Sequence, residues 1–235
     1  MILENANIIR KRISATCERC GRNPENITLV AVTKTFGFDV ISSAIEAGLK
    51  DFGENYVGEF HEKSDRFIGE DLRWHFIGHL QRNKVKNIIG KTFLIHSVDS
   101  IELAREISKH AVNLEKNVDI LLEVNTSGEK SKFGVEPDEA GKMVEAIQKI
   151  QKVNLMGLMT IGPFLPDPES SRPAFRMLRQ LRDTAQANGI SLPHLSMGMT
   201  NDFEIAIEEG ATIIRIGTAL FGKRAPKQKQ ELSQL

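Results

Sequence analysis

The chain has 235 residues, 40% hydrophobic and 26% charged, enough apolar side chain for one sizeable globular core. Lys plus Arg and Asp plus Glu each number 31, so the formal net charge is zero and nothing in the balance favours a nucleic-acid or anionic-membrane surface. No apolar run approaches the roughly 20 residues that span a bilayer, and Met1-Ile2-Leu3-Glu4-Asn5-Ala6 lacks a signal-peptide core, so a cytoplasmic protein is expected.

Residues 1–22 read as a polar amphipathic helix closed by Gly21. The helix carries Cys17 and Cys20, whose C-x-x-C spacing suits a redox pair or half a zinc site. No further ligands lie at matching spacing, so two free thiols are expected. Strand-like and helix-like segments then alternate. Strand 1 spans 27–33, an apolar run rich in β-branched residues that reads as a buried parallel strand and leads straight into Lys34. A helix over 39–47 follows, stopped by Gly48. The later strands are expected at 50–53, 73–77, 92–97, 118–124, 155–160, 194–196 and 212–216. Their intervening helices are expected at 57–67, 81–89, 101–112, 137–150, 171–187 and 201–208, with a short one starting near Thr218. Asp39 and Asp99 are the expected N-caps, and Gly189 and Gly210 further stops.

Eight strand–helix units in about 200 residues predict an α/β fold, a single (β/α)₈ TIM barrel with an extra N-terminal helix, covering 1–235 as one domain. A doubly wound open sheet is the alternative. It usually carries a glycine-rich loop after strand 1, and Thr33-Lys34-Thr35-Phe36-Gly37 has a single glycine.

In a barrel, chemistry sits at the C-terminal ends of the strands. Lys34 ends strand 1, where burial would disfavour its charged form and make it a Schiff-base nucleophile; a lysine snorkelling to solvent is the competing reading. Ser196-Met197-Gly198-Met199-Thr200 ends strand 7 and Arg215-Ile216-Gly217-Thr218 ends strand 8. Two glycines, two hydroxyls and a helix N-terminus at these strands form the expected phosphate cup. A strand-1 lysine facing such a cup across the mouth suggests a phosphorylated aldehyde, and pyridoxal 5'-phosphate fits both ends. Its ring nitrogen needs a partner, and Arg215 inside Ile213-Ile214-Arg215-Ile216 is the candidate.

The chain closely resembles the pyridoxal phosphate homeostasis proteins, single-domain relatives of the alanine racemase barrel. The matching stretches begin with Val30-Ala31-Val32-Thr33-Lys34, Phe52-Gly53-Glu54-Asn55-Tyr56-Val57 and Trp74-His75-Phe76-Ile77-Gly78-His79-Leu80-Gln81. They continue through Val124-Asn125-Thr126-Ser127-Gly128, Gly157-Leu158-Met159-Thr160-Ile161, Leu195–Thr200 and Arg215–Gly222. The resemblance implies that Lys34 carries the cofactor as an internal aldimine and that Asn55 lies near its ring. It further implies that Thr200, where the family commonly has serine, binds the phosphate with Gly217 and Thr218, and that Arg215 faces the pyridine nitrogen. Phe36-Gly37-Phe38 departs from the lysine-proline turn of many relatives.

Other signals are weaker. His75 and His79 are four apart but flank a strand end without an acidic third ligand, so no metal is expected. Arg82, Lys84, Lys86 and Lys91 read as a solvated helix face. Ser196 lacks a G-x-S-x-G context. Met197 and Met199 are expected to line the site or pack the core, and Tyr56 to pack. Two functions stay open. One is a non-enzymatic protein, expected to be monomeric, that buffers pyridoxal 5'-phosphate or delivers it to apo-enzymes, with neither nucleic acid nor membrane as partner. The other is a pyridoxal-phosphate-dependent amino-acid racemase, which needs bases on both cofactor faces.

Overall fold

Eight segments too short for helices, several of them rich in Val, Ile and Leu, form parallel strands that close into one barrel in chain order. The strands are β1 (Thr28–Val32), β2 (Asp51–Glu54), β3 (Arg73–Phe76), β4 (Leu94–Val98), β5 (Val118–Glu123), β6 (Val153–Met159), β7 (His194–Ser196) and β8 (Ile213–Ile216). Closure is made by β1 on β8, in register from Thr28 opposite Ile213 to Ala31 opposite Ile216. The computed structural model describes residues 1–129 and 132–222; residues 223–235, part of the expected single domain, lie outside them.

The helices are α1 (Ile2–Arg19), α2 (Phe38–Glu46), α3 (Val57–Arg66), α4 (Ile101–Asn113), α5 (Ala140–Ile147), α6 (Arg172–Ala187), α7 (Phe203–Glu208) and α8 (Thr218–Phe221). They pack their apolar faces on the outside of the barrel and build the main core with side chains such as Phe52, Phe60, Phe76, Phe175 and Phe203. A smaller cluster of Val30, Leu94, Leu121, Met159 and Ile213 packs separately. Helix α1 buries Ala6, Ile9, Ile13, Thr16 and Cys17, the spacing of one helical face. It bridges elements from both ends of the chain. Asn5 Nδ2 donates to Leu220 O at 2.9 Å, Arg10 Nη2 to Ala47 O at 3.0 Å, and Arg12 forks onto Glu204 at 3.0 and 3.1 Å.

The structure corrects several boundaries. The segment expected as a helix over 81–89 is a 3₁₀ segment, Arg82–Asn87. It buries only Val85 and has no side-chain cap at Gln81, too little apolar face to carry an α-helix. Ser100, not Asp99, caps α4, its Oγ accepting from Leu103 N at 3.4 Å. Asp99 is spent on His79 at 3.3 Å and on Ser100 Oγ at 3.1 Å. Asp39 lies inside the first turn of α2, whose cap is Gly37. The expected stops Gly48, Gly189 and Gly210 all adopt positive φ. Both cysteines are free thiols. Among the described residues, no helix is long and apolar enough to cross a membrane.

Candidate functional site

The C-terminal mouth of the barrel opens into a cavity of about 420 Å³. Lys34, Asn55, Thr200, Arg215, Gly217 and Thr218 all line it, so the six expected site residues converge on one space. Apolar walls come from Val32, Ile77 and Ile161, with Phe164 and Leu165 from the loop after β6. This volume and mixture suit a small ligand with a few polar anchors. One expectation needs correcting: because β1 pairs with β8, Lys34 and the Gly217-Thr218 turn stand on neighbouring strands, not on opposite sides of the mouth.

The lysine loop is held by a buried ionic cluster. Lys63 Nζ, on α3, donates to Thr33 O at 2.8 Å and to Glu54 Oε1 and Glu59 Oε2 at 2.7 Å each. Thr33 Oγ1 also donates to Glu54 Oε1 at 2.7 Å. Thr35 N donates to Glu59 Oε2 at 2.7 Å and has φ +69°, a strained conformation for a β-branched residue. Lys63 and Glu59, both on α3, therefore pin the backbone on either side of Lys34, and Glu54 on β2 holds the Thr33 hydroxyl. Burial raises the Glu54 pKa despite its partners, and its Oε2 has none. Sequence reasoning missed this cluster. The signals were Glu54 next to Asn55 at a strand end, and the i, i+4 spacing of Glu59 and Lys63.

Arg215 is buried, 5% exposed. Its guanidinium donates to Ser196 Oγ at 2.6 Å and to Thr160 O at 2.9 Å. Burial lowers its pKa to about 10, opposed by the charges of Glu123 and Asp202, so it stays cationic at neutral pH. Ser196 is thus the partner of the arginine, a role its motif context did not reveal. Glu123, at the end of β5, is pushed up to about 7 by burial and by Asp99, against the pull of Arg215.

The turns after β7 and β8 complete the site. Gly198 has φ +91°, and a Cβ there would lie 2.5 Å from Ala206 Cβ and 2.9 Å from Phe203 Cα, so the turn onto α7 needs glycine. Asp202 fixes this loop, accepting from Met199 N at 2.7 Å and Ser171 Oγ at 2.9 Å. Thr200 Oγ1 accepts from Ala219 N at 3.2 Å, joining the β7 loop to the first turn of α8. At Gly217 a Cβ would make only ordinary contact with Val32, 3.5 Å at the nearest. Packing alone does not demand that glycine; the space it leaves belongs to the cavity. Asn55 Oδ1 is buried without a hydrogen-bond partner. An orphaned acceptor, a glycine-lined turn and a hydroxyl-bearing helix start fit a phosphorylated ring compound with polar substituents.

Met199 lines the cavity while Met197 is fully buried in the core. Tyr56, expected to pack, is 54% exposed and borders an adjacent groove with His61 and His79. His75 does not pair with His79; it bonds Asp51 and His96.

Fold and site together define a barrel of the alanine racemase N-terminal type. The family model described as "Alanine racemase, N-terminal domain" matches residues 5–225. The chain belongs to the pyridoxal phosphate homeostasis protein family. The member from Aquifex aeolicus is 49% identical over 222 residues, covering 94% of this chain and 97% of that one. The Escherichia coli K12 member is 38% identical, covering 97% of this chain and 99% of its own. Among solved structures, PipY of Synechococcus elongatus with bound PLP is 31% identical, with a TM-score of 0.82 over 94% of this chain and all of its own. A Clostridium difficile alanine racemase shares the fold at 16% identity and a TM-score of 0.73, covering 96% of this chain and 57% of that enzyme.

Proposed function

We propose that this protein binds pyridoxal 5'-phosphate and serves its homeostasis, holding the cofactor covalently on Lys34 and exchanging it without turnover. The observation that carries this reading is the convergence of Lys34, Asn55, Arg215, Thr200, Gly217 and Thr218 on one cavity. Its likeness to PipY, solved with PLP bound, supports the choice of ligand. When bound, the cofactor supplies an electrophilic carbonyl carbon and an electron-accepting ring. The residues divide the work of holding it. Lys34 supplies the amine, and its loop is fixed by the Glu54–Lys63–Glu59 cluster. Asn55 offers its unpartnered oxygen to a ring substituent. Thr200, Gly217 and Thr218 take the phosphate. Arg215 presents a donor to the ring nitrogen, which disfavours ring protonation and so weakens the electron sink that carbanion chemistry needs. Among the described residues lining the cavity, the ionisable groups are Lys34, Asp202 and Arg215, and Asp202 is committed to its loop. Among these described residues none is left over as a second base, which supports exchange over racemisation. An incoming amine can displace Lys34 and leave with the cofactor, which supports buffering or delivery to apo-enzymes.

The test is direct. The purified protein should be yellow with cofactor, and borohydride should fix it on the peptide containing Lys34. In Lys34→Ala no reducible cofactor should remain; fixation on another lysine would overturn the assignment. Amino acids incubated with loaded protein should keep their chirality, and sustained racemisation that disappears in Lys34→Ala would establish the enzyme reading instead.

A further inference from the structure

Beneath the cavity, a line of polar side chains runs through the barrel from its far end to Arg215. Asp51, the first residue of β2, faces His75 Nε2 at 3.0 Å. His75 Nδ1 lies 2.9 Å from His96 Nε2, and His96 Nδ1 lies 2.9 Å from Ser196 Oγ. Ser196 Oγ accepts from Arg215 Nη1 at 2.6 Å. His75, His96 and Ser196 are each at most 1% exposed. At the far end Asp51 also pairs with Arg73 at 2.5 Å, and that arginine side chain is 48% exposed, so the line begins at solvent.

The two ends dictate the direction of every bond between them. A guanidinium only donates, so Ser196 Oγ accepts from Arg215 and its own proton is left for His96 Nδ1. A neutral His96 that accepts at Nδ1 carries its hydrogen on Nε2 and donates to His75 Nδ1. His75 then carries its hydrogen on Nε2 and donates to Asp51, which as a carboxylate only accepts. Burial, followed for His96 by the charges of His75 and Arg215, keeps both imidazoles below the usual histidine range and hence neutral. All four bonds point one way, from the cation in the cavity to the anion at the opposite end. Two imidazoles buried in a barrel core carry a desolvation cost that apolar residues of similar size would avoid. Packing does not account for them; a fixed donor–acceptor order does.

We propose that Asp51, His75, His96 and Ser196 are positioning residues for Arg215. The line fixes which nitrogen of each imidazole bears hydrogen, keeps Ser196 an acceptor, and so aims the remaining guanidinium N–H groups at the ring nitrogen of the ligand. This inference rests on the pyridoxal 5'-phosphate reading for its ligand, but not for the line itself. Its consequence is long-range: removing the negative charge at Asp51 changes the hydrogen-bond order two histidines away.

The experiment has one arm without cofactor and one with it. In ligand-free protein labelled with ¹⁵N-imidazole histidine, His75 and His96 should both show a bare Nδ1 and a protonated Nε2. Asp51→Asn, whose amide can donate as well as accept, should scramble the tautomer at His96 as well as at His75. In the second arm, Ser196→Ala should weaken pyridoxal 5'-phosphate binding by about tenfold and shift the visible band of the bound cofactor. Ser196→Thr, which keeps the hydroxyl, should restore both. A His96 found charged or protonated on Nδ1 would overturn the proposal. So would a Ser196→Ala protein with lowered Tm but unchanged affinity and spectrum, because a merely structural role predicts that pattern. If Asp51→Asn fails to fold, the Ser196 pair decides. If the parent protein binds no pyridoxal 5'-phosphate, the functional reading fails, while the line is still judged by the histidine spectra.

Discussion

Lys34 and Arg215 stood out in the sequence because each interrupts or ends a run of β-branched apolar residues, where a cation needs a reason. The supporting roles of the groups that hold them did not stand out, although His75 and Ser196 drew notice for other chemistry. Glu54, Lys63, His75, His96 and Ser196 belong to different strands and helices, and only closure of the barrel sets their separations. Thr200 carries a testable share of the proposed phosphate binding. Charge-assisted hydrogen bonds contribute roughly 1.5–3 kcal/mol, so Thr200→Ala should weaken pyridoxal 5'-phosphate by about tenfold or more while leaving pyridoxal nearly unaffected in paired titrations. Equal losses would place the phosphate elsewhere. Glu123 offers a pH test. Its folded pKa, about 7, lies above the unfolded value of 4.5, so the fold favours its protonated form. That contribution is complete below the unfolded pKa and is lost as pH rises through the folded one, a change of about 3 kcal/mol. Glu123→Gln removes the titration, so denaturant melts should show the variant gaining on the parent between about pH 5 and about pH 8. His75 and His96 act in the opposite sense: their lowered values give stability above the histidine range that acid removes. Both proteins share them, so the difference isolates Glu123.

At the level of elements, β1, β5, β6 and β8 were legible as largely apolar segments, whereas the short, polar-rich β2, β3 and β7 were legible from the alternation of units around them. The β3–β4 connection was not. Its buried Val85, Ile88 and Ile89 imitate a helical stripe, but Arg82–Asn87 is too short and uncapped to be more than a 3₁₀ segment. The two glycine turns differ in what their packing demands. Gly198 is required by the packing of α7 against the turn, whereas Gly217 leaves room in the cavity. The two should therefore respond differently to the same change. Gly198→Ala should lose about 2–4 kcal/mol of stability in urea, from overpacking and a positive φ together. Gly217→Ala should keep nearly parental stability and lose affinity for the phosphorylated ligand. Matching stability losses would refute the distinction.

Across the whole molecule, α1 acts as a strap over the joint where β8 meets β1. Its contacts reach the end of α2 on one side and α7 and α8 on the other. Ile9, 1% exposed, lies in the middle of its buried face. Ile9→Ala should cost about 2–5 kcal/mol in chemical denaturation. Because α8 carries Thr218, the same variant should also release the phosphorylated ligand faster; unfolding at lower denaturant with unchanged release would separate the strap from the site. The joint has a further consequence for biosynthesis. Lys34 emerges from the ribosome early, but the turn beside it, Gly217-Thr218, is among the last parts of the described chain to be made. A nascent chain can expose its lysine loop for most of its translation without owning the proposed phosphate cup. On the proposed function, capture of cofactor is then a property that only the closed ring acquires, so partial products of synthesis or proteolysis should not drain the supply of cofactor.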